Sequence, residues 1–181
     1  MSEQSEVEKY EHLILPYTME NGRAAAGVDL ATGGRSCVPW AWGLELPVEQ
    51  YAFYNSDHPP RGPIQLRGSV EILPIETGSL WFVVASHIAE DWPQTEWPRL
   101  FAEWSRPLRS GGSLIVLVPQ HELWWKYVEK GGVHNQAHAQ PQPQVGDMST
   151  VASQIGLAVV KDELTNCFPD DFNILGIFSK P

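Results

Sequence analysis

The sequence predicts an α/β fold, a three-layer sandwich built on a mostly parallel sheet, and three observations carry that prediction. Two uninterrupted apolar runs, LWFVVA at 80–85 and SLIVLV at 113–118, have the character of strands buried on both faces. Between them Leu100, Phe101, Trp104 and Leu108 recur at helical spacing, which completes a strand, helix, strand unit. Shorter apolar segments punctuated by Gly and Pro lie on either side, giving five short strands and then two more. With 181 residues the chain is one domain, 1–181, whose core needs no disulfide or metal staple.

Taken in order, residues 1–20 are expected to form a helical extension ahead of the sheet. The first strand is placed at 24–30 (AAAGVDL), because the adjacent Gly33 and Gly34 allow a turn at positive φ after a buried run. A second strand covers 42–46 (WGLEL) and stops at Pro47, a third covers 64–67, and the two long apolar runs are the fourth and fifth. The helix between those runs spans 97–108, with Gly111-Gly112 as its stop signal. After the aromatic segment 121–128 the stretch 129–146, rich in Gln, Pro and His, reads as a loop. A helix at 147–154 is capped by Asp147, and 157–161 and 172–179 are the last strands.

Charge narrows the function classes. Twelve Lys and Arg against 22 Asp and Glu leave a net charge of −10, and no basic patch is visible, so neither nucleic acid nor an anionic membrane is an expected partner. The amino terminus is acidic without an apolar leader segment, and no apolar run reaches the ~18 residues of a spanning helix. A soluble, cytoplasmic protein is expected. Cys37 and Cys167 fit neither a zinc site nor a disulfide framework. His121, His134 and His138 lie in or beside the 129–146 loop without a helical frame or a matching carboxylate, so no metal is expected. Ser86, His87 and Asp91 contain the letters of a hydrolase triad, but no G-x-S-x-G elbow accompanies them.

In an open α/β sheet the ligand site lies beyond the carboxyl ends of the strands. There the chain offers Val28-Asp29-Leu30-Ala31-Thr32-Gly33-Gly34, with Glu45 ending the next strand. Glycines let backbone amides approach a ligand, and an acidic side chain at the second strand can accept hydrogen bonds from ribose hydroxyls. A tight turn after a strand is the alternative reading of the same residues.

Read together, GVDLATGGR, GLEL, QLRGSVEILPIETGSLWFVVASHIAED and LFAEWSRPLRSGGSLIVLVP resemble the class I S-adenosylmethionine-dependent methyltransferases, particularly compact members. Those have a Ser-His-x-x-Glu-like element after strand four, here Ser86-His87-Ile88-Ala89-Glu90, and a following helix that ends in arginine, leucine and Gly-Gly. The resemblance spans 27–119 and more loosely the remainder. It implies a Rossmann-like sandwich with an antiparallel last strand at 172–177, and S-adenosylmethionine as cofactor. It assigns Asp29, Ala31 and Gly33 to the loop beside the methionine moiety, Glu45 to the ribose, Ser69 and Val70 to the adenine, and Ser86 and His87 to the side of the transferable methyl group. His87 is then the candidate general base, because imidazole titrates near neutral pH; a histidine that merely closes strand four is the alternative. Glu90 and Asp91 either orient it or occupy the first turn of a helix, and receive no catalytic role.

Three positions depart from the family pattern. Ala31 stands for the first glycine, Ser69 for an aspartate that usually holds the adenine amine, and Trp81 for an acidic residue early in strand four. The expected function is methylation of a small-molecule or peptide-like acceptor, and the alternative is an inactive protein of the same fold serving as an interaction subunit. Six of the eight Trp fall between residues 81 and 125, which suggests a Trp-rich sheet edge where an acceptor or a protein partner would dock.

Overall fold

The computed structural model describes residues 9–32, 36–50, 64–132, 138–139, 141, 143–169 and 171–181. The chain opens on one helical turn, α1 (Glu11–Ile14), continued by a 3-10 turn (Leu15–Thr18). The helical part of the extension expected over 1–20 therefore ends at Thr18, and its first eight residues lie outside the described ones. Two short strands follow, β1 (Met19–Glu20) and β2 (Arg23–Ala24), paired antiparallel about Asn21-Gly22. Both turn residues have positive φ, +52° and +73°, the geometry that a two-residue hairpin requires. The first strand expected at 24–30 is thus two elements: Ala24 ends the hairpin, and β3 (Gly27–Leu30) begins the main sheet.

The main sheet continues with β4 (Trp42–Glu45), β5 (Leu66–Arg67), β6 (Leu80–Ser86), β7 (Leu108–Pro119), β8 (Ala158–Leu164) and β9 (Asn173–Ser179). Their spatial order is β5-β4-β3-β6-β7-β9-β8. From β5 to β7 all neighbours pair parallel, whereas β9 runs antiparallel to both β7 and β8. The chain moves outward from β3 to β5 and then returns to place β6 on the other side of β3, so the topological switch point lies between β3 and β6.

Three helices of two turns or more are described: α2 (Trp97–Ser105), α3 (His121–Glu129) and α4 (Asp147–Gln154). The aromatic segment after the fifth strand is therefore a helix. One face of the sheet, with Val28, Leu30, Val83, Ala85, Leu114 and Val116, packs on Trp97, Leu100, Phe101 and Trp104 of α2 and on Met148, Val151 and Ala152 of α4. The other face, with Phe82, Val84, Ile115, Leu117, Leu175 and Ile177, is covered by Tyr10, Ile14, Cys37 and Val38. Layers on both faces make the three-layer sandwich, and alternate residues of each strand serve opposite cores. No helix among the described residues is long and apolar enough to cross a membrane.

Two boundaries differ from expectation for identifiable reasons. The helix expected over 97–108 stops at Ser105, and Leu108 already belongs to β7. Arg106, the C-cap, still has helical backbone and donates to the Ala102 carbonyl, but Pro107 has no amide to continue the ladder. Gly111-Gly112, expected to stop that helix, lies inside β7 instead. Gly111 takes φ +79°, and a Cβ on Gly112 would meet the Trp81 carbonyl at 2.8 Å, so the glycines allow the strand to shift register against β6 between Leu80 and Phe82. At the start of α4 the N-cap is Gly146, not Asp147. The Asp147 carboxylate accepts from the Gln144 amide at 2.8 Å, while Asp162 of β8 accepts from the amides of Gly146 at 3.1 Å and Ser149 at 2.8 Å.

Candidate active site at the carboxyl rim

Register alone assembles the centre of the site. Leu30 pairs with Leu44 on one side and with Ala85 on the other, so one residue further along Ala31, Glu45 and Ser86 stand abreast at the carboxyl ends of β3, β4 and β6. Arg67 and Leu117 extend the same row on either side. Of the residues that the sequence nominates, these three are brought together at the switch point. Gly33 and Gly34 lie outside the described residues.

Ala31 has φ +55°, a left-handed conformation that side chains disfavour, and its amide donates to the Leu44 carbonyl at 2.9 Å. The backbone therefore turns as a glycine would at the position where the family has one. Its methyl group packs against the core shared with α2 and α4. Glu45 is buried at the end of β4, with its backbone carbonyl accepting from Gly68 at 2.9 Å. Ser86 is more than nine-tenths buried, and its Oγ has no hydrogen-bond partner among the described residues. An orphaned hydroxyl beside a buried carboxylate and a glycine-type turn suits a polar ligand with ribose hydroxyls and an amino-acid end, so the residues present fit S-adenosylmethionine.

Asp29 sits within β3, one turn of the pleat below the rim. Its Oδ2 accepts from Ser36 Oγ and from the Cys37 amide, both at 2.8 Å, and from Cys37 Sγ at 3.1 Å. Burial pushes its pKa from 3.8 up to about 6, although those three donors pull it down. Burial and the Asp29 charge raise the Cys37 thiol well above its ordinary value, which keeps it a neutral S–H donor. The Asp29 side chain thus fastens the segment after the glycine turn rather than standing in the loop itself.

Ser69 and Val70 follow β5. Ser69 Oγ accepts from the Glu71 amide at 3.1 Å, and the Val70 carbonyl accepts from Trp104 Nε1 at 2.8 Å. The turn beyond them is clamped onto α2. Arg106 donates to the carbonyls of Leu73 at 2.9 Å and Ile75 at 2.8 Å, and Glu103 accepts from the Leu73 amide at 2.8 Å. Glu103 pairs with Arg106 at 2.8 Å, which holds its carboxyl below the usual range. The sequence shows the arginine at this helix end as a letter of the resemblance; its work as an anchor for the turn after β5 appears only in the fold.

After Ser86, His87 adopts φ +52°, and its amide donates to the Leu117 carbonyl at 2.9 Å. Its Nδ1 lies 3.3 Å from Oε1 of Glu90, on a 3-10 turn (Ala89–Asp91), and both side chains are buried. The same oxygen is 3.7 Å from Nε2 of His138, within the 129–146 segment. Of the two readings the sequence left for Glu90, orienting His87 or occupying the first turn of a helix, the contact with Nδ1 matches the first, and the turn it occupies is a short 3-10 one. Among the described residues no group of three His, Cys, Asp or Glu is arranged to hold a metal ion, and His134 lies outside them.

The Trp residues divide differently from the suggested edge. Trp97, Trp104 and Trp124 are core residues. Trp81 lies at the amino end of β6, its amide bonded to the Ala26 carbonyl and its ring beneath Arg109 at 5.1 Å, so it is at the opposite end of the strand from Ser86. Of those near the rim, Trp92 is half-buried and donates to Glu71 at 2.9 Å.

No protein-family model matches the chain. No curated protein matches it either. Solved structures do. An S-adenosylmethionine-dependent methyltransferase from Archaeoglobus fulgidus superimposes with a TM-score of 0.68 at 11% identity over 98% of this chain and 94% of its own. One from Thermotoga maritima gives 0.62 at 20% identity, covering 98% of each chain, and one from Methanosarcina mazei gives 0.63 at 13%, covering 93% and 96%. Near-complete coverage in both directions, a parallel sheet switching between β3 and β6, and an antiparallel β9 inserted beside β7 together give this chain the class I S-adenosylmethionine-dependent methyltransferase fold.

Proposed function

We propose that the protein binds S-adenosylmethionine at the carboxyl ends of β3, β4 and β6 and methylates a small-molecule or peptide-like acceptor. The observation that carries this reading is the row of Ala31, Glu45 and Ser86, with Ala31 held in a glycine's backbone conformation. The turn after β3 would lie beside the methionine moiety, Glu45 would accept from the ribose hydroxyls, and the segment at Ser69 and Val70 would flank the adenine. The cofactor supplies a methyl group already activated on a sulfonium, so the protein's contribution is to position the acceptor and, where needed, to accept its proton.

The alternative, an inactive interaction subunit, loses support at two of its three departures. Trp81 lies away from the rim, and the Ala31 methyl group packs toward the core. The third stands: Ser69 is engaged with Glu71 and offers the adenine amine no carboxylate.

Calorimetric titration with S-adenosylhomocysteine tests the proposal. Saturable heat is expected, and Glu45→Ala should weaken binding by about 10- to 100-fold, the loss that accompanies removal of a charged hydrogen-bond acceptor. The variant's thermal unfolding serves as the control for its fold. No heat from the native chain at millimolar ligand would sink the reading.

A further inference from the structure

Glu90 is a carboxylate with a side-chain exposure of 0%, and the neighbours brought to it are imidazoles: His87 at 3.3 Å, 3% exposed, and His138 at 3.7 Å, 1% exposed. A buried carboxylate is costly unless a positive charge or hydrogen bonds accompany it, and a proton held by either imidazole supplies the charge. The arrangement is built from three separate segments. His87 directly follows β6 and Glu90 lies on the 3-10 turn just beyond it, the Ala139 amide donates to the Glu90 carbonyl at 2.7 Å, and the His138 ring lies 5.2 Å from that of Trp124 on α3. Trp97 Nε1 donates to the Ala89 carbonyl at 2.9 Å and fixes the turn from the α2 side. His87 itself is held at φ +52°, a conformation retained only where its surroundings impose it.

We infer that Glu90 is a positioning residue for His87 and that His138 completes it, so that the three side chains hold and share a proton at the acceptor side of the proposed methyl-transfer site. This rests on the reading under Proposed function, in which His87 faces the transferable methyl group. The carboxylate against Nδ1 fixes the tautomer in which Nδ1 carries the proton and Nε2 is basic. The acceptor then belongs to the class that must lose a proton on methylation, bearing an O–H or N–H at the nucleophilic atom. That atom gives its proton to Nε2 of His87 as its electron pair forms the bond to the methyl carbon, and the pair of the broken carbon–sulfur bond remains on sulfur. Protonated His87 is stabilised by Glu90, while His138 competes for the same oxygen and Asp91 ends the turn as a further carboxylate.

Proton NMR of the histidine ring resonances across pH tests this on the full-length chain, with no acceptor required. Glu90→Gln keeps the shape and removes the charge, and should lower the midpoint at which His87 titrates by about one pH unit or more. His138→Gln leaves Glu90 to His87 alone and should raise it. Opposite displacements support the shared carboxylate; a His87 midpoint moved by neither variant overturns it. Should Glu90→Gln fail to fold, the His138→Gln result decides alone. Adding S-adenosylhomocysteine then separates the two readings. A His87 resonance shifted by the bound ligand supports its place beside the methyl position, and one unmoved by ligand that binds overturns the positioning role. Absence of binding overturns the cofactor reading, and with it the role of base, whatever the titrations give.

Discussion

Two residues at the ends of adjacent central strands, Ala31 and His87, adopt φ near +50°, where a side chain costs ~1 kcal/mol or more relative to glycine. Ala31→Gly should therefore stabilise the protein by up to ~1 kcal/mol, since the strain relieved exceeds the entropy that glycine adds to the unfolded chain. Urea unfolding with an unchanged slope measures this, and a loss of stability would show that the position carries no strain. At this scale the sequence was legible in part. Ala31 reads as the loss of a family glycine, but glycine meets two separate demands, a positive φ and the absence of Cβ, and only the fold shows that the first is still met. Glu45 was readable from the end of its strand, whereas Ser86 was nominated through the resemblance; register sets both at the rim. Glu90 stayed between two readings, orienting His87 or occupying the first turn of a helix, because an acidic residue three positions on fits both equally well. The turn is instead a single 3-10 turn, which brings the carboxylate inward. His138 belongs to a segment without periodicity, so nothing in the sequence ties it to Glu90.

Among the elements, α4 depends on a strand for its start. Its N-cap, Gly146 at φ +98°, has no side chain to offer, and Asp162 of β8 accepts from the Gly146 and Ser149 amides in its place. Because the donors of a first helical turn lack partners within the helix, Asp162→Ala should cost ~1–2 kcal/mol in urea unfolding, as loss of a capping side chain does. Asp147→Ala should cost less, since Asp147 accepts from the Gln144 amide and from Gln94 Nε2 rather than from its own helix. Equal costs for the two variants would contradict this assignment. Sequence patterning placed the helix correctly at Asp147–Gln154 and misassigned its cap, because a cap supplied from another element leaves no local signature. The end of α2 is the opposite case. Leu108 continues the helical spacing, yet Pro107 marks the break, and the missing amide donor outweighs the periodicity. Asn21-Gly22 was likewise a readable hairpin signal hidden behind the apolar run that follows it.

For the whole molecule, the parallel centre of the sheet was legible because β6 and β7 are apolar on both faces, whereas the order of strands rested on resemblance rather than on any residue pattern. Charge leads to a prediction at this scale: stability should rise as pH falls below neutrality. At pH 7 the chain carries −10, and protonation toward its pI of about 4.9 relieves that self-repulsion. Asp29 acts in the same direction. Burial raises its folded pKa from 3.8 to about 6, so between those values the folded state binds more protons than the unfolded one. Its stabilising contribution is complete below pH 3.8 and is lost as pH rises through about 6, a penalty at neutrality of ~3 kcal/mol. Glu103 has the contrary sign: Arg106 lowers its pKa below 4.5, and the stability it supplies is lost only as pH falls further, through that lowered value. The maximum should therefore lie at about pH 4 to 5, where most of the Asp29 contribution is present and Glu103 still holds its charge. Urea unfolding at pH 5.5 and 7.5 should show higher stability at the lower pH, with Asp29 supplying ~1 kcal/mol of the difference by the linkage relation. Asn at position 29 can still accept from the Cys37 amide but cannot ionise, so Asp29→Asn should raise stability at pH 7.5 relative to its own value at pH 5.5 by that same amount compared with the native chain. Because every other titrating group is common to both proteins, identical pH dependence in the two would show that the Asp29 carboxyl is not held protonated by burial.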